Sequence, residues 1–227
     1  MSEEINNSKS QLKQDLWVLD TLNHKKNGFF IEIGAYDGIT YSNTYLLENN
    51  YNWSGICIEP NPFVYPHLKN NRNCICLKEL LFSEENIVQK FQCANEVSCV
   101  ENENNALEMD DEFMELMKKN NVRDDIIEMR TNTLLNVVRN NNVPKIIDYI
   151  SCDTEGTELE IIKNFPFDEY LVKTITIEHN AGCIGDKYQK QIREFLESKD
   201  FEFIKGNDPV EGWNQGPIDD FYKNKNF

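Results

Sequence analysis

Four short stretches of the 227-residue sequence gather residue types that could do chemistry. The first is Glu32-Ile-Gly34-Ala35-Tyr36-Asp37-Gly38. A glycine-bearing turn after an apolar run lets backbone approach a ligand closely, and a following helix start adds unpaired N–H donors. The spacing is G-x-x-x-G, with Tyr36 where a G-x-G-x-x-G dinucleotide motif has its middle glycine. That departure disfavours a pyrophosphate. The acids Glu32 and Asp37 suit a cationic, zwitterionic ligand, and S-adenosylmethionine is one. A plain βα turn of any α/β fold is the simpler alternative. The second stretch is Glu59, with Pro60, ending the next apolar run. An acid there can accept hydrogen bonds from both hydroxyls of a ribose, as in sites for NAD and for S-adenosylmethionine. The third is Asp153-Thr154-Glu155-Gly156, directly after Ile146–Cys152. One carboxylate could hold a metal or a substrate amine while the other accepts a proton. Capping of the next helix is the structural alternative. The fourth is Glu178-His179-Asn180, at the end of the following apolar run. Asp153, Glu178 and His179 from neighbouring strand ends would suit Mg²⁺ or Mn²⁺. A histidine simply hydrogen-bonded in a polar cleft is the alternative.

The surrounding pattern says which elements must position these residues. Gly28–Gly34, Trp53–Glu59 and part of Cys74–Phe82 read as strands, with helices over Ser42–Asn50 and Phe63–Asn71 between them. The alternation resumes with a helix at Thr131–Asn140 and a strand at Ile146–Cys152. A helix at Glu155–Asn164, a strand at Lys173–Glu178, a helix at Lys187–Lys199 and a strand at Phe201–Ile204 follow. Leu12, Leu16, Leu19 and Leu22 recur at helical spacing, so a helix is expected over Ser8–Leu22. Ile87–Cys93 reads as a strand outside the parallel order, Asn95–Asp111 as an acidic loop and Phe113–Lys119 as helical. The tail reads as loop closing on a strand at Asp220–Tyr222. This is an α/β, doubly wound, mostly parallel sheet with helices on both faces. One domain over 1–227 is expected: a cofactor half at 28–94 and an acceptor-side half at 131–227.

Charge and composition narrow the partners. Lys and Arg total 23 against 39 Asp and Glu, a formal net charge of −16, which argues against nucleic acid and anionic membranes. No apolar run is long enough to span a bilayer, and the polar start shows no secretory h-region. The seven cysteines lack C-x-x-C spacing and read as reduced thiols in a cytoplasmic protein rather than a zinc site or disulfide framework. Tyr65-Pro-His-Leu-Lys69 matches a dehydrogenase-like Y-x-x-x-K spacing, but Pro66 and its place after the second strand make it a coincidence.

Six stretches, taken in order, carry a family resemblance. They are Phe30-Ile-Glu-Ile-Gly-Ala-Tyr-Asp-Gly38, Ser42-Asn43-Thr44, Trp53-Ser-Gly-Ile-Cys-Ile-Glu-Pro-Asn61, Asp153-Thr-Glu-Gly-Thr-Glu158, Ile177-Glu-His179 and Asp219-Asp-Phe-Tyr222. Together they resemble the FkbM-type family of S-adenosylmethionine-dependent methyltransferases. Position 32, often Asp in that family, is Glu here, and the acidic Asn95–Asp111 stretch has no counterpart. The resemblance implies a class I methyltransferase fold of seven strands, one antiparallel. It implies S-adenosylmethionine at Gly34, Asp37, Ser42 and Glu59, with adenine near Leu81, Phe82 and Ser83. Glu32, Ala35, Tyr36, Pro60 and Asp153 complete the candidate cofactor contacts. The implied reaction is O-methylation of a hydroxyl on a small-molecule or glycan acceptor, often a sugar. Asp153, Glu155 and His179 are the candidate catalytic residues, with Glu155 as base. An NAD-dependent sugar-modifying oxidoreductase and a non-catalytic binding module are the competing readings.

Overall fold

A computed structural model describes residues 6–100, 125–208 and 216–227. Its centre is a seven-stranded sheet. In chain order the strands are β1 (Phe29–Ile33), β2 (Ser54–Ile58), β3 (Ile75–Leu77), β8 (Ile146–Cys152), β9 (Leu171–Glu178), β10 (Phe201–Gly206) and β11 (Asp219–Asn224). The spatial order is β3-β2-β1-β8-β9-β11-β10. β1 pairs in parallel with both β2 and β8, and β8 with β9, while β11 runs antiparallel between β9 and β10. The sheet is therefore parallel except for one inserted strand. Four further strands, β4 (Leu80–Leu81), β5 (Val88–Cys93), β6 (Cys99–Val100) and β7 (Asp125–Asn132), form a small sheet in the order β4-β7-β5-β6.

Helices cover both faces because the central strands are apolar on both sides. Ile31 and Ile33 of β1 and Ile56 and Ile58 of β2 join one core, packed under α4 (Leu134–Asn140), α5 (Glu158–Ile162) and α7 (Lys187–Glu197). Phe30 and Cys57 point the other way, into a second core with α1 (Gln14–Thr21), α2 (Tyr45–Tyr51) and α3 (Tyr65–Asn71). Alternation puts the carboxylate of Glu32 on the second face, beside Phe30. A short α6 (Ala181–Ile184) follows β9.

The sequence expectations need four corrections. The helix foreseen over Ser8–Leu22 starts only at Gln14. Lys13 sits in the left-handed region at φ 64°, Ser10 bridges to Tyr41, and the Asp15 carboxylate gathers the hydroxyls of Ser8 and Ser10. The helix foreseen from Thr131 begins at Leu134: β7 runs on to Asn132, and the Thr133 hydroxyl caps the helix by accepting from Asn136 N at 3.2 Å. The helix foreseen from Glu155 begins at Glu158, because Thr154 N and Gly156 N donate to the Glu158 carboxylate and hold 153–157 as a loop. Within the Asn95–Asp111 loop a single turn at Asn95–Val97 leads into β6, while 101–111 and the Phe113–Lys119 helix lie outside the described residues. The strand outside the parallel order, β5, and the closing strand, β11, are present.

Candidate active site

Strand order reverses at β1, between β2 and β8, and there the loops after the parallel strands part. In open α/β sheets ligands bind in that crevice. A cavity of about 720 Å³ occupies it, within the range of small-molecule sites. It is lined by the turn after β1, the end of β2, the loops after β8 and β9, and the small sheet.

The turn after β1 is a backbone necessity. Gly34 has φ +82°, and a Cβ there would lie 1.7 Å from the carbonyl oxygen of Asp153. Gly34 and Ala35 N both donate to Ile58 O, and Asp153 N donates to Ile33 O, so three strand ends lock together. Gly34, Ala35 and Tyr36 line the cavity as expected. Asp37 does not. Its carboxylate accepts from Ile39 N at 2.8 Å, Thr40 N at 2.7 Å and the Thr40 hydroxyl at 2.9 Å, and so shapes the turn instead of reaching a ligand.

Glu32 lines the cavity, yet its carboxylate is consumed by the protein. It accepts from Ser42 Oγ at 3.0 Å, Asn43 N at 2.7 Å, Thr44 Oγ1 at 2.6 Å and Arg72 Nη1 at 3.1 Å. Arg72 is buried and also pairs with Glu48, so one guanidinium fastens β1, the 42–44 loop and α2. The sequence showed the acid but not this partner. Ser42 lines the cavity, and so does Asn43. Asn43 Nδ2 donates to Ser151 Oγ at 2.9 Å, while its buried Oδ1 has no partner. An orphaned acceptor in a cavity wall fits a donor-bearing ligand.

Glu59 and Pro60 close the cavity at the end of β2. Each Glu59 oxygen takes one backbone amide, Tyr36 N at 2.9 Å and Asn61 N at 2.8 Å, which leaves lone pairs for two hydroxyls. Burial pushes its carboxyl up to about 7 against those two amides. Leu81 lines the cavity, whereas Phe82 and Ser83 do not; Phe82 N is tied to Asn132 O. Phe91 and Val100 of the small sheet take their place in the wall, a contribution no local motif announced.

In the wall formed by the loops after β8 and β9, one oxygen each of Asp153, Glu155 and Glu178 lie within 4.8 Å of one another. Burial, then the charges of its acidic neighbours, holds the Asp153 carboxyl well above the usual range, and the same is true of Glu178. Glu178 Oε2 is buried without a hydrogen-bond partner. His179, expected with this cluster, is not in it. Its side chain is fully buried, its Nδ1 accepts from Ala181 N at 3.0 Å, and its Nε2 lies 3.3 Å from Asp220 Oδ1. The peptide direction that aims Glu178 into the cavity aims the next side chain out of it.

A family model described as "Methyltransferase FkbM domain" matches residues 32–203. The chain belongs to the FkbM methyltransferase family. This FkbM-family protein is therefore a methyltransferase, and S-adenosylmethionine is the donor its family implies. The dinucleotide and non-catalytic readings give way to that. The fold agrees with that of a solved methyltransferase domain. The METTL16 methyltransferase domain aligns with TM-score 0.50 and 14% identity over 92% of this chain and 65% of that one. Precorrin-6y C5,15-methyltransferase from Geobacter metallireducens GS-15 aligns with TM-score 0.46 and 12% identity over 92% of this chain and 86% of that one. Human methyltransferase 10 domain containing protein gives 0.48 and 13% over 93% and 79%. No curated protein sequence matches. Among the described residues no helix is long and apolar enough to cross a membrane.

Proposed function

We propose that this FkbM-family methyltransferase methylates a hydroxyl oxygen, of a sugar on a glycan or small molecule, with Asp153, Glu155 and Glu178 acting on the acceptor. The observation that carries the reading is the three-carboxylate cluster with an orphaned oxygen at the ends of β8 and β9. Bound S-adenosylmethionine supplies a methyl group already activated as a sulfonium, so the protein must align the acceptor and remove its proton. Gly34, Ala35 and Ser42 would cradle the amino-acid end, and Glu59 the ribose. A sugar hydroxyl is a very weak acid. Burial and mutual repulsion hold the Asp153 and Glu178 carboxyls above the ordinary range. Glu155, partly exposed to the cavity, takes the proton, while Asp153 and Glu178 orient the acceptor.

Hard oxygen donors fit Mg²⁺ or Mn²⁺, so the cation we propose is held by Asp153 and Glu178, with Glu155 beside it as base, rather than by His179. Such a cation would lower the pKa of an acceptor hydroxyl. The net charge of −16 supports a neutral or cationic acceptor over nucleic acid, and the scattered cysteine spacing, with no C-x-x-C, suits the cytoplasm. The test is transfer from labelled S-adenosylmethionine to rhamnose-, fucose- and hexose-bearing acceptors, with and without EDTA. Labelled methyl ethers that vanish in EDTA and return with Mn²⁺ support the proposal. Transfer only to nitrogen or to RNA would overturn the hydroxyl reading, and full turnover in EDTA would remove the cation.

A further inference from the structure

We propose that His179 is a positioning residue: it carries the hold of Arg193 and Asp220 to the corner that sets Glu178 and Asn180 on the acceptor side. This rests on the reading of Glu178 and Glu155 as acceptor-side acids. The ring lies in a closed chain of contacts. Arg193, on α7, grips Asp220 of β11 with two bonds of 2.6 and 2.8 Å, and the Tyr222 hydroxyl adds a third at 2.9 Å. Burial opposes the charge on Asp220, but the bonds from Arg193 and His179 outweigh it and hold the carboxyl at about 2. Asp220 Oδ1 faces His179 Nε2, and the Gln189 amide lies 3.1 Å from both.

The other ring nitrogen reaches forward along the chain. Ala181 N donates to Nδ1, which puts the ring proton on Nε2, toward Asp220. That bond closes a turn around Asn180, a residue in the left-handed region at φ 52°. His179 N and Asn180 N both donate to Ile218 O, so the corner is clamped by its backbone and by the ring. The corner has two cavity-facing products. Glu178 holds its unpartnered oxygen in the acid cluster, and Asn180 Nδ2 lies 3.5 Å from Glu155 Oε2. Without the ring, a left-handed asparagine between two acids has one anchor fewer, and the acids lose their spacing.

The experiment compares His179→Ala and His179→Asn. Asparagine places an oxygen near Nδ1 and can still accept from Ala181 N, but it cannot take a proton. For His179→Ala we expect kcat to fall about 100-fold, the scale of a misplaced site, with affinity for S-adenosylhomocysteine by calorimetry nearly unchanged. His179→Asn keeps an acceptor for Ala181 N but cannot reach Asp220, so it should recover only part of that loss. An Asn variant that folds and binds but is as inactive as Ala would overturn the proposal and make His179 chemical. Undiminished turnover in His179→Ala would overturn it too. If the Ala variant does not fold, the Asn variant decides alone. A second readout needs no acceptor: Asp220→Asn should shift the amide resonances of Asn180 and Ala181, and unmoved resonances would break the relay. A wild-type protein inactive on every hydroxyl acceptor, with those resonances shifted, would sink the hydroxyl reading and leave the relay standing.

Discussion

Glu59 is where a single carboxylate ties stability, pH and cofactor together. Its folded value of about 7 lies above the unfolded 4.5 because burial penalises the charge. Below pH 4.5 the group is neutral in both states and costs nothing. Between 4.5 and 7 the unfolded chain ionises first, so stability falls, by roughly 3 kcal/mol at the plateau above 7. In the proposed site two ribose hydroxyls would need the ionised form as acceptor. Affinity for S-adenosylhomocysteine should therefore rise from pH 5 to pH 7 and level off above. Glu59→Gln should flatten that rise and weaken binding, and it also turns an NH2 donor onto one of the two backbone amides its carboxylate accepts from; calorimetry across pH checks each part. Gly34 makes the opposite case, structure before binding. A Cβ would collide with the Asp153 carbonyl at 1.7 Å on top of the strain of φ +82°. Gly34→Ala should cost upward of roughly 3 kcal/mol and be seen as lost folded protein. Gly185→Ala, also at positive φ but with nothing within 4 Å, should cost about 1–3 kcal/mol by melting, from backbone strain alone. At this scale the sequence located the strand-end residues and misjudged directions. Glu59, Asp153, Glu155 and Glu178 were legible because each ends an apolar run. Asp37 and His179 were not, because a motif fixes position along the chain but not whether a side chain faces cavity or protein.

Elements hold the site through a few fastenings, and Arg72 is the main one on the cofactor face. It follows α3, stacks 5.4 Å over Phe30, and pairs with both Glu32 and Glu48. Removing one partner of a buried pair leaves an uncompensated charge. Arg72→Met should destabilise by about 3–5 kcal/mol in denaturant unfolding. The double variant Arg72→Met, Glu32→Gln should recover part of that loss; a double variant no better than the single would mean the pair adds nothing beyond packing. The strands of the central sheet could be read because parallel, doubly covered strands are continuous apolar runs stopped by glycine or proline, as at Gly34 and Pro60. β7 escaped notice. Its stretch Asp125–Asn132 turns Ile127, Met129 and Thr131 inward, but only Thr131 is buried and Ile126 is exposed beside them, so no apolar run marks it. The N-terminal helix was overextended for a related reason: the leucine spacing runs through Lys13, whose left-handed backbone breaks the helix and turns Gln11 toward the cavity.

The whole molecule places a strongly acidic chain around an acidic cavity. Repulsion among 39 carboxylates and 23 basic groups of formal net charge −16 is screened by salt, so melting temperature should rise from 20 to 300 mM NaCl, by roughly a few degrees. A fall with salt would mean that ion pairs such as Arg193–Asp220 outweigh the net charge. In the proposed function the glycine turn, Ser42 and Glu59 serve the cofactor and the acids after β8 and β9 serve the acceptor, and that division makes the central claim separable in experiment. Glu178→Gln removes a charge from the acid cluster and leaves the glycine turn, Ser42 and Glu59 in place. The deciding measurement is methyl transfer by Glu178→Gln beside its affinity for S-adenosylhomocysteine. The account predicts a rate lowered by about 100-fold or more with cofactor affinity nearly intact. A rate equal to wild type, or binding lost in step with the rate, would contradict it.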